Sequence, residues 1–430
     1  MAEITQDRAV QQVEAESTDG LDIKLSGDLR RLIPKLGLRN YWYPVVGLKR
    51  IGSRHPVRVS MLGEALCLFR TEDDDIAAIR DVCPHRGASL SEGDCHWKGT
   101  VACPYHGWVF DKDGHNIAVL GEGPGSVVCG KRGTDAKVYP LRVLKGVVFA
   151  WIGDEEPAPI EQDVPEEFFD PDTVIYYNDR IHWRTSWEVA IENSMDAHVN
   201  YLHRDHLQGM LGSAVPMPRG ASGAKIAFTG NGFKSTVARA DSPPQDHYEN
   251  GLVWPKRRIR RYWAWFFRWF FSRTHVPAPA PESDWWGTGH RLPGMFRAGF
   301  SPPRTTPDGK RVRPMSGGLF GLYTRWPVAV DDWLTRVWYF SKTRPASKFE
   351  RIKDWILYWT TYRWLVQYNF SQQDMSVMEN IDYESPERLS NTDGEIVQWR
   401  RLVVTKHVGG RNAKFAHHGE AVEDLTPPGG

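Results

Sequence analysis

Residues 81–108, DVCPHRGASLSEGDCHWKGTVACPYHGW, place a Cys-x-His and a Cys-x-x-His close together in a chain that holds only 5 cysteines. Seventeen residues separate His85 from Cys103, and each pair sits in a loop flanked by proline and glycine. Two such loops can close over one small inorganic centre. Thiolates are soft donors suited to zinc or iron–sulfur clusters, and imidazole serves both. An odd number of cysteines in a long chain does not make a disulfide framework, and a reducing compartment favours metal ligands and inert thiols. Cys95, beside His96, falls between the loops and reads, with Cys67 and Cys129, as a structural or surface thiol.

A chain of 430 residues exceeds one core of ordinary size, so two or three domains are expected. With 54 Lys+Arg against 53 Asp+Glu, nothing electrostatic favours nucleic acid or an anionic membrane as partner. The polar, acidic start MAEITQDRAVQQVEAEST lacks the charged start and apolar stretch of a secretory signal, so a cytoplasmic protein is expected. The longest apolar run, residues 262–271, is interrupted by Arg268 and has about half the roughly 20 residues that span a bilayer. It lies in PKRRIRRYWAWFFRWFFSRTH, 255–275, whose aromatics fall on all sides of a helix and predict an intersubunit or interdomain contact. No Walker loop or GxGxxG is visible, and GEGPGS at 121–126 has the wrong spacing for a nicotinamide or flavin site.

Between residues 40 and 155 short alternating runs such as PVRVSML, EALCLFR and DIAAIR are separated by turn residues, which predicts a small antiparallel β domain. Asp113-Gly114 suits a hairpin turn within it. The acidic, proline-rich DEEPAPIEQDVPEEFFDP, 154–171, reads as an exit linker. Beyond it the pattern predicts helices over about 187–207 and 346–372 with strands such as RVWYFSK between them. Phe349, Ile352, Ile356 and Trp359 recur at three- and four-residue spacing, an amphipathic helix.

In a Rieske [2Fe–2S] centre two cysteines hold one iron and two histidines the other. CPHRG followed by CPYHGW resembles the Rieske motif of the bacterial ring-hydroxylating oxygenases, and Cys83, His85, Cys103 and His106 match its ligands one by one. The bland alternative is a structural Cys2His2 zinc site. Gly87 and Gly107 are read as letting backbone N–H groups approach the sulfurs. The resemblance implies an α+β chain: a small antiparallel-β Rieske domain at 40–155 and a larger catalytic domain at 156–430, an antiparallel sheet gripped by helices, with residues 1–39 packing on it.

A second donor set lies in WEVAIENSMDAHVNYLHRDHL, 187–207, where Asn193, Asp196, His198, His203 and His206 fall within one helical stretch. Two histidines and a carboxylate make the facial triad of mononuclear iron(II). His198 and His203 are five apart, about 140° around an ideal helix, so the helix must end or bulge for both to reach one metal. The resemblance supplies a His-x4-His pair at His198 and His203 and a distant carboxylate, which SQQDMSVMEN assigns to Asp374, with Glu379 as its rival. Asp196 then takes the place of the aspartate that bridges a Rieske histidine of one subunit to an iron ligand of its neighbour. Here it stands two rather than three residues before the histidine, and Asn193 is the alternative bridge. His206 and Asp205 read as ordinary polar residues.

The resemblance further implies electrons from an external ferredoxin or flavin reductase, dioxygen as co-substrate, a hydrophobic aromatic or polycyclic substrate, and a homotrimer in which the two centres meet across subunits. Monohydroxylation, oxidative demethylation and cis-dihydroxylation share these ligands. A Rieske electron carrier without the second iron, or a zinc hydrolase or scaffold, are the alternatives from other classes.

Overall fold

The computed structural model describes residues 29–195, 202, 221–229, 232–239, 289–299, 304–305, 311–312, 322–343, 345, 347–383, 385–389 and 393–404. Nine short strands come first: β1 (Tyr41–Gly47), β2 (Val57–Met61), β3 (Glu64–Arg70), β4 (Ile76–Arg80), β5 (Val101–Ala102), β6 (Trp108–Phe110), β7 (Asn116–Val119), β8 (Leu141–Leu144) and β9 (Val147–Ile152). They form three antiparallel three-stranded sheets, ordered β1-β9-β8, β2-β3-β4 and β5-β6-β7. Local chemistry sets the turns. Leu144 pairs with Val147 across Lys145 and Gly146, whose φ values of 49° and 79° are what a two-residue hairpin demands. In the hairpin before β7, one Asp111 carboxylate oxygen accepts the amides of both Asp113 and His115 at 2.9 Å.

Strand β3 explains how this small domain is divided. Its side chains alternate between faces. Leu66 and Leu68 enter the main core, while Cys67 and Phe69 face a separate apolar cluster with Cys83, Cys103, Trp108 and Phe110. Both faces are buried, so the strand is a continuous apolar run and the metal-type loops have a core of their own behind them.

The second half of the chain is built on β10 (Val174–Trp183), β11 (Ala221–Thr229), β12 (Gly232–Arg239), β13 (Gly289–Arg291), β14 (Met295–Gly299), β15 (Arg304–Thr305), β16 (Arg311–Val312), β17 (Leu322–Asp331) and β18 (Leu334–Thr343). Seven of them form one antiparallel sheet ordered β10-β18-β17-β14-β13-β12-β11, and β15 pairs with β16. The helices are α1 (Trp187–Glu192), α2 (Lys348–Leu357), a π-helical stretch Tyr358–Phe370, α3 (Ser371–Met378) and α4 (Gly394–Leu402). An α+β chain with a small antiparallel β part and a larger sheet-and-helix part is therefore what the residues build. Helix α1 starts where Ser186 accepts the Val189 amide at 3.3 Å, and α2 where Ser347 accepts that of Glu350 at 3.2 Å. No helix among the described residues is long and apolar enough to cross a membrane.

The expected amphipathic helix forms with its apolar stripe outward, and one expectation needs correction. The stripe Phe349, Ile352, Ile356 and Trp359 is exposed in the single chain, from 45% at Ile356 to 76% at Phe349. The inward residues of this segment are Asp354, Leu357, Tyr358 and Tyr362. Periodicity reveals that a face is apolar but not what covers it. The 154–171 stretch is no loose linker. Ile160, Val164 and Phe168 are buried in the main core. Its acidic residues meet interior cations: Arg297 donates to Glu166 at 3.0 Å and to Glu167, and Lys342 lies 3.3 Å from Glu167. Buried charges persist when paired in this way.

The main core runs without a break through both halves. Tyr41, Trp42 and Phe149 of the small sheets share it with Trp326 and Trp338 of the large one and with Trp187 of α1 and Trp399 of α4. Residues 29–38 join it through Ile33 and Leu38, and Trp187 Nε1 donates to the Pro34 carbonyl at 2.9 Å.

Candidate metal centres

The two cysteine loops share one backbone pattern. In the first, the Cys83 amide donates to the Ala88 carbonyl at 2.8 Å and the Gly87 amide returns to the Cys83 carbonyl at 2.8 Å. In the second, the Cys103 amide donates to Trp108 at 2.7 Å and the Gly107 amide to Cys103 at 3.1 Å. Each loop thus runs Cys-Pro-x-x-Gly-x with its glycine at positive φ, 78° for Gly87 and 68° for Gly107. A Cβ on Gly107 would also stand 2.8 Å from the Leu120 side chain. The glycine amides themselves are spent on cysteine carbonyls, and the turns they close leave other backbone N–H groups to approach the sulfur. At Cys83 the sulfur receives its amide donors from His85 and Arg86 instead.

Side chains then break the symmetry. Histidine is the third residue of the first loop and the fourth of the second, and the rings of His85 and His106 meet edge to face with centroids 4.6 Å apart. His85 stacks on buried Trp108 at 4.9 Å with the planes 4° apart. Cys83 and Cys103 are buried behind them, within hydrogen-bonding reach of each other. Burial above all, and then the neighbouring Cys103 sulfur, push the Cys83 thiol up. Two adjacent buried sulfurs can both be thiolates only if cationic metal compensates them, and desolvation with nearby His85 and Arg86 favours the neutral His106 that a metal needs. The four side chains fit a cluster held by two sulfurs inside and two imidazoles outside. Cys95 is different: burial, and then Asp94, push its thiol up to about 11, and it packs as a partly buried thiol on the same apolar cluster.

Asp81 anchors the first loop from below. Its fully buried carboxylate accepts the Ser91 amide at 2.6 Å, the Ser91 hydroxyl at 2.7 Å and Arg58 at 2.6 Å.

In the large domain the structure brings Asn193 and Asp374 together and exposes Glu379. Asp196, His198, His203, Asp205 and His206 lie outside the described residues, as does the 255–275 segment. Asn193 caps α1, and Asp374 reaches the interior from α3, directly after the π-helical stretch. A widened turn changes which positions of a helix face inward, and such turns recur at functional sites. Asp374 has no solvent exposure, and Asn193 Nδ2 donates to its Oδ1 at 3.3 Å. The Asn193 amide is thus directed at a carboxylate of its own chain.

Two interior residues here were not anticipated. Arg325 of β17 is 3% exposed, donates to Asn193 Oδ1 at 3.1 Å, and lies 3.9 Å from Asp374 Oδ2. His290 of β13 has no exposure, stacks on Phe296 at 5.0 Å and has its Nε2 3.0 Å from the Ser194 hydroxyl. The available signal was their setting: a lone arginine in the strand LYTRWPVAV is rarely buried without a task.

Residues 41–128 match the family model described as Rieske [2Fe-2S] domain, and residues 151–238 match that of the homotrimeric ring hydroxylases. The chain carries a Rieske [2Fe-2S] domain followed by a stretch similar to the homotrimeric ring hydroxylases. This decides between the two readings of the Cys2His2 set in favour of the iron–sulfur cluster. Over 187 residues the chain is 36% identical to the terminal oxygenase component of carbazole 1,9a-dioxygenase from Sphingomonas sp, covering 43% of this chain and 48% of that one. Over 180 residues it is 33% identical to the oxygenase component of dicamba O-demethylase from Stenotrophomonas maltophilia, covering 40% and 49%. The aligned part therefore spans about half the length of these curated relatives. Among solved structures, the terminal oxygenase of carbazole 1,9a-dioxygenase from Novosphingobium sp. KA1 superposes with a TM-score of 0.64 at 25% identity, covering 87% of this chain and 94% of that one.

Proposed function

We propose that the chain is the terminal oxygenase of a multicomponent system, hydroxylating or oxidatively demethylating a hydrophobic aromatic or polycyclic substrate with dioxygen and with electrons from an external ferredoxin or reductase. The observation that carries this reading is the coexistence of the paired cysteine loops with a separate, fully buried carboxylate, Asp374, fixed by Asn193. A simple electron carrier needs only the first.

When bound, the cluster stores single electrons and a mononuclear iron activates dioxygen. Cys83 and Cys103 would hold one iron of the cluster, and His85 and His106 the other. His198, His203 and Asp374 would hold the mononuclear iron. Trp108 fixes the plane of His85, and Asn193 fixes the rotation of the Asp374 carboxylate. Trp183 and Met378 belong to an apolar cluster against which Met375 packs, and a hydrophobic substrate gains from leaving solvent beside such side chains. Domains at 40–155 and 156–430, a cytoplasmic location and assembly as a homotrimer complete the proposal, with Asp196 as the intersubunit bridge.

The test couples purified protein to a surrogate ferredoxin and reductase and follows oxygen uptake and product mass over a panel of aromatic substrates. Substrate-dependent uptake is expected, with a gain of oxygen or loss of a methyl group and three irons per chain. Two irons per chain, with a reducible cluster and no uptake, would leave an electron carrier. Sedimentation should find three chains per particle.

A further inference from the structure

Arg325 poses a question that the cluster and the carboxylate do not answer. A buried guanidinium is costly unless paired. Its Nη2 donates to Asn193 Oδ1 at 3.1 Å, its Nη1 lies 3.9 Å from Asp374 Oδ2, and its Nε has no hydrogen-bond partner among the described residues. Trp183 and Phe296 lie against it, with ring centroids 5.0 Å and 5.5 Å from the guanidinium carbon. Asp374 is the one carboxylate within ion-pair reach of Arg325 among the described residues.

The donor rules make this arrangement directional. Arginine only donates, and an ionised carboxylate only accepts. An asparagine between the two has a single satisfactory orientation, carbonyl toward Arg325 and NH2 toward Asp374. Turned over, it would set like against like at both ends. At 3.9 Å Arg325 balances the charge of Asp374 Oδ2 without hydrogen-bonding to it. Among the described residues, Asn193 donates to one oxygen of the carboxylate and Arg325 balances the charge of the other from a distance.

We propose that Arg325 is a positioning residue for the metal-binding carboxylate: it acts through Asn193 to lock Asp374 in the rotation that presents Oδ2 to iron(II). This rests on the reading of Asp374 as an iron ligand given above. Outer partners of metal ligands typically change affinity by about 10–100-fold, which sets the size of effect to look for.

The experiment uses full-length protein with its cluster intact and the mononuclear iron removed by chelator, titrated anaerobically with iron(II) against a coloured competitor. Cobalt(II) serves as a parallel spectroscopic probe, and the visible circular dichroism of the cluster reports on folding. Arg325→Met and Asn193→Ala should each weaken iron(II) binding by about tenfold or more and shift the cobalt(II) ligand-field bands. The double variant should be no weaker than the worse single one, because the two act in series. Arg325→Lys, which still reaches Asn193 as a cation, should restore most of the affinity.

Wild-type affinity in Arg325→Met overturns the proposal. So do single effects that multiply in the double variant, because the arginine would then act independently of Asn193. Should Arg325→Met lose its cluster, Asn193→Ala decides: undiminished iron(II) and unshifted cobalt(II) bands overturn the relay, and tenfold weakening with shifted bands supports it. Absence of any mononuclear site in the wild-type protein would overturn the reading of Asp374 itself, and this inference with it.

Discussion

At Asp374 a carboxylate without solvent exposure is kept in the interior by Asn193 and by the distant charge of Arg325. Asp374→Asn keeps the shape and removes the charge, so metal analysis of the purified variant should find the mononuclear iron lost and the cluster retained. Cys83→Ser should do the reverse damage and bleach the visible spectrum. His290 gives a pH prediction. Burial above all, and then Arg325, lower its ionisation from 6.5 to about 3. Below 6.5 the unfolded chain takes up a proton that the folded chain refuses, so its contribution is full above that pH and is lost as pH falls toward 3, by up to about 1.4 kcal/mol per unit. Urea unfolding of wild type and His290→Gln at pH 7, 6, 5 and 4 should show a flatter acid limb in the variant; parallel limbs would assign the acid sensitivity elsewhere. The metal-type residues were legible because Cys83 and His85, or Cys103 and His106, meet within one loop. Arg325 was not, because its meaning comes from Asn193 and Asp374, more than a hundred positions before it and about fifty after.

Among the elements, the cysteine loops depend on what lies beneath them. Asp81 gathers Ser91 and Arg58 under the first loop with no exposure of its own carboxylate. Asp81→Ala removes the buried acceptor of both Ser91 donors and should cost about 1–3 kcal/mol, read as a lower urea midpoint for loss of cluster absorbance; an unchanged midpoint would make the anchor dispensable. The strands of this part were readable residue by residue, EALCLFR above all, since period two and turn residues are local signals. The long helical segment was only half readable. Its start at Ser347 and its apolar stripe are written in neighbouring residues, whereas the π-helical stretch from 358 to 370 depends on interior partners such as Gln367, bonded to Asn178 of β10 at 3.0 Å.

Over the whole molecule, a pair of facing carboxylates and one arginine tie distant parts of the chain together. Arg400 of α4 grips Glu192 of α1 with bonds of 2.6 Å and 2.8 Å and Glu387 with 2.6 Å and 2.9 Å, while Arg30 lies 3.5 Å from Glu387. Arg400→Met leaves Glu192 buried without this cation and should destabilise the protein by about 3–5 kcal/mol. Because a single apolar core joins both halves, cluster absorbance and tryptophan fluorescence should report one coincident urea transition in wild type; two separated transitions would show that the halves melt independently. The sequence suggested two domains with a linker, and composition alone gives no hint that Ile160, Val164 and Phe168 pack inward between them. The matched turns at Cys83 and Cys103 carry one more implication. Their scaffolding is duplicated main chain, and only the offset of a single ring, third place against fourth, distinguishes one side from the other. A change of electron count at such a centre finds both jaws already braced by peptide groups, so little atomic rearrangement need accompany it.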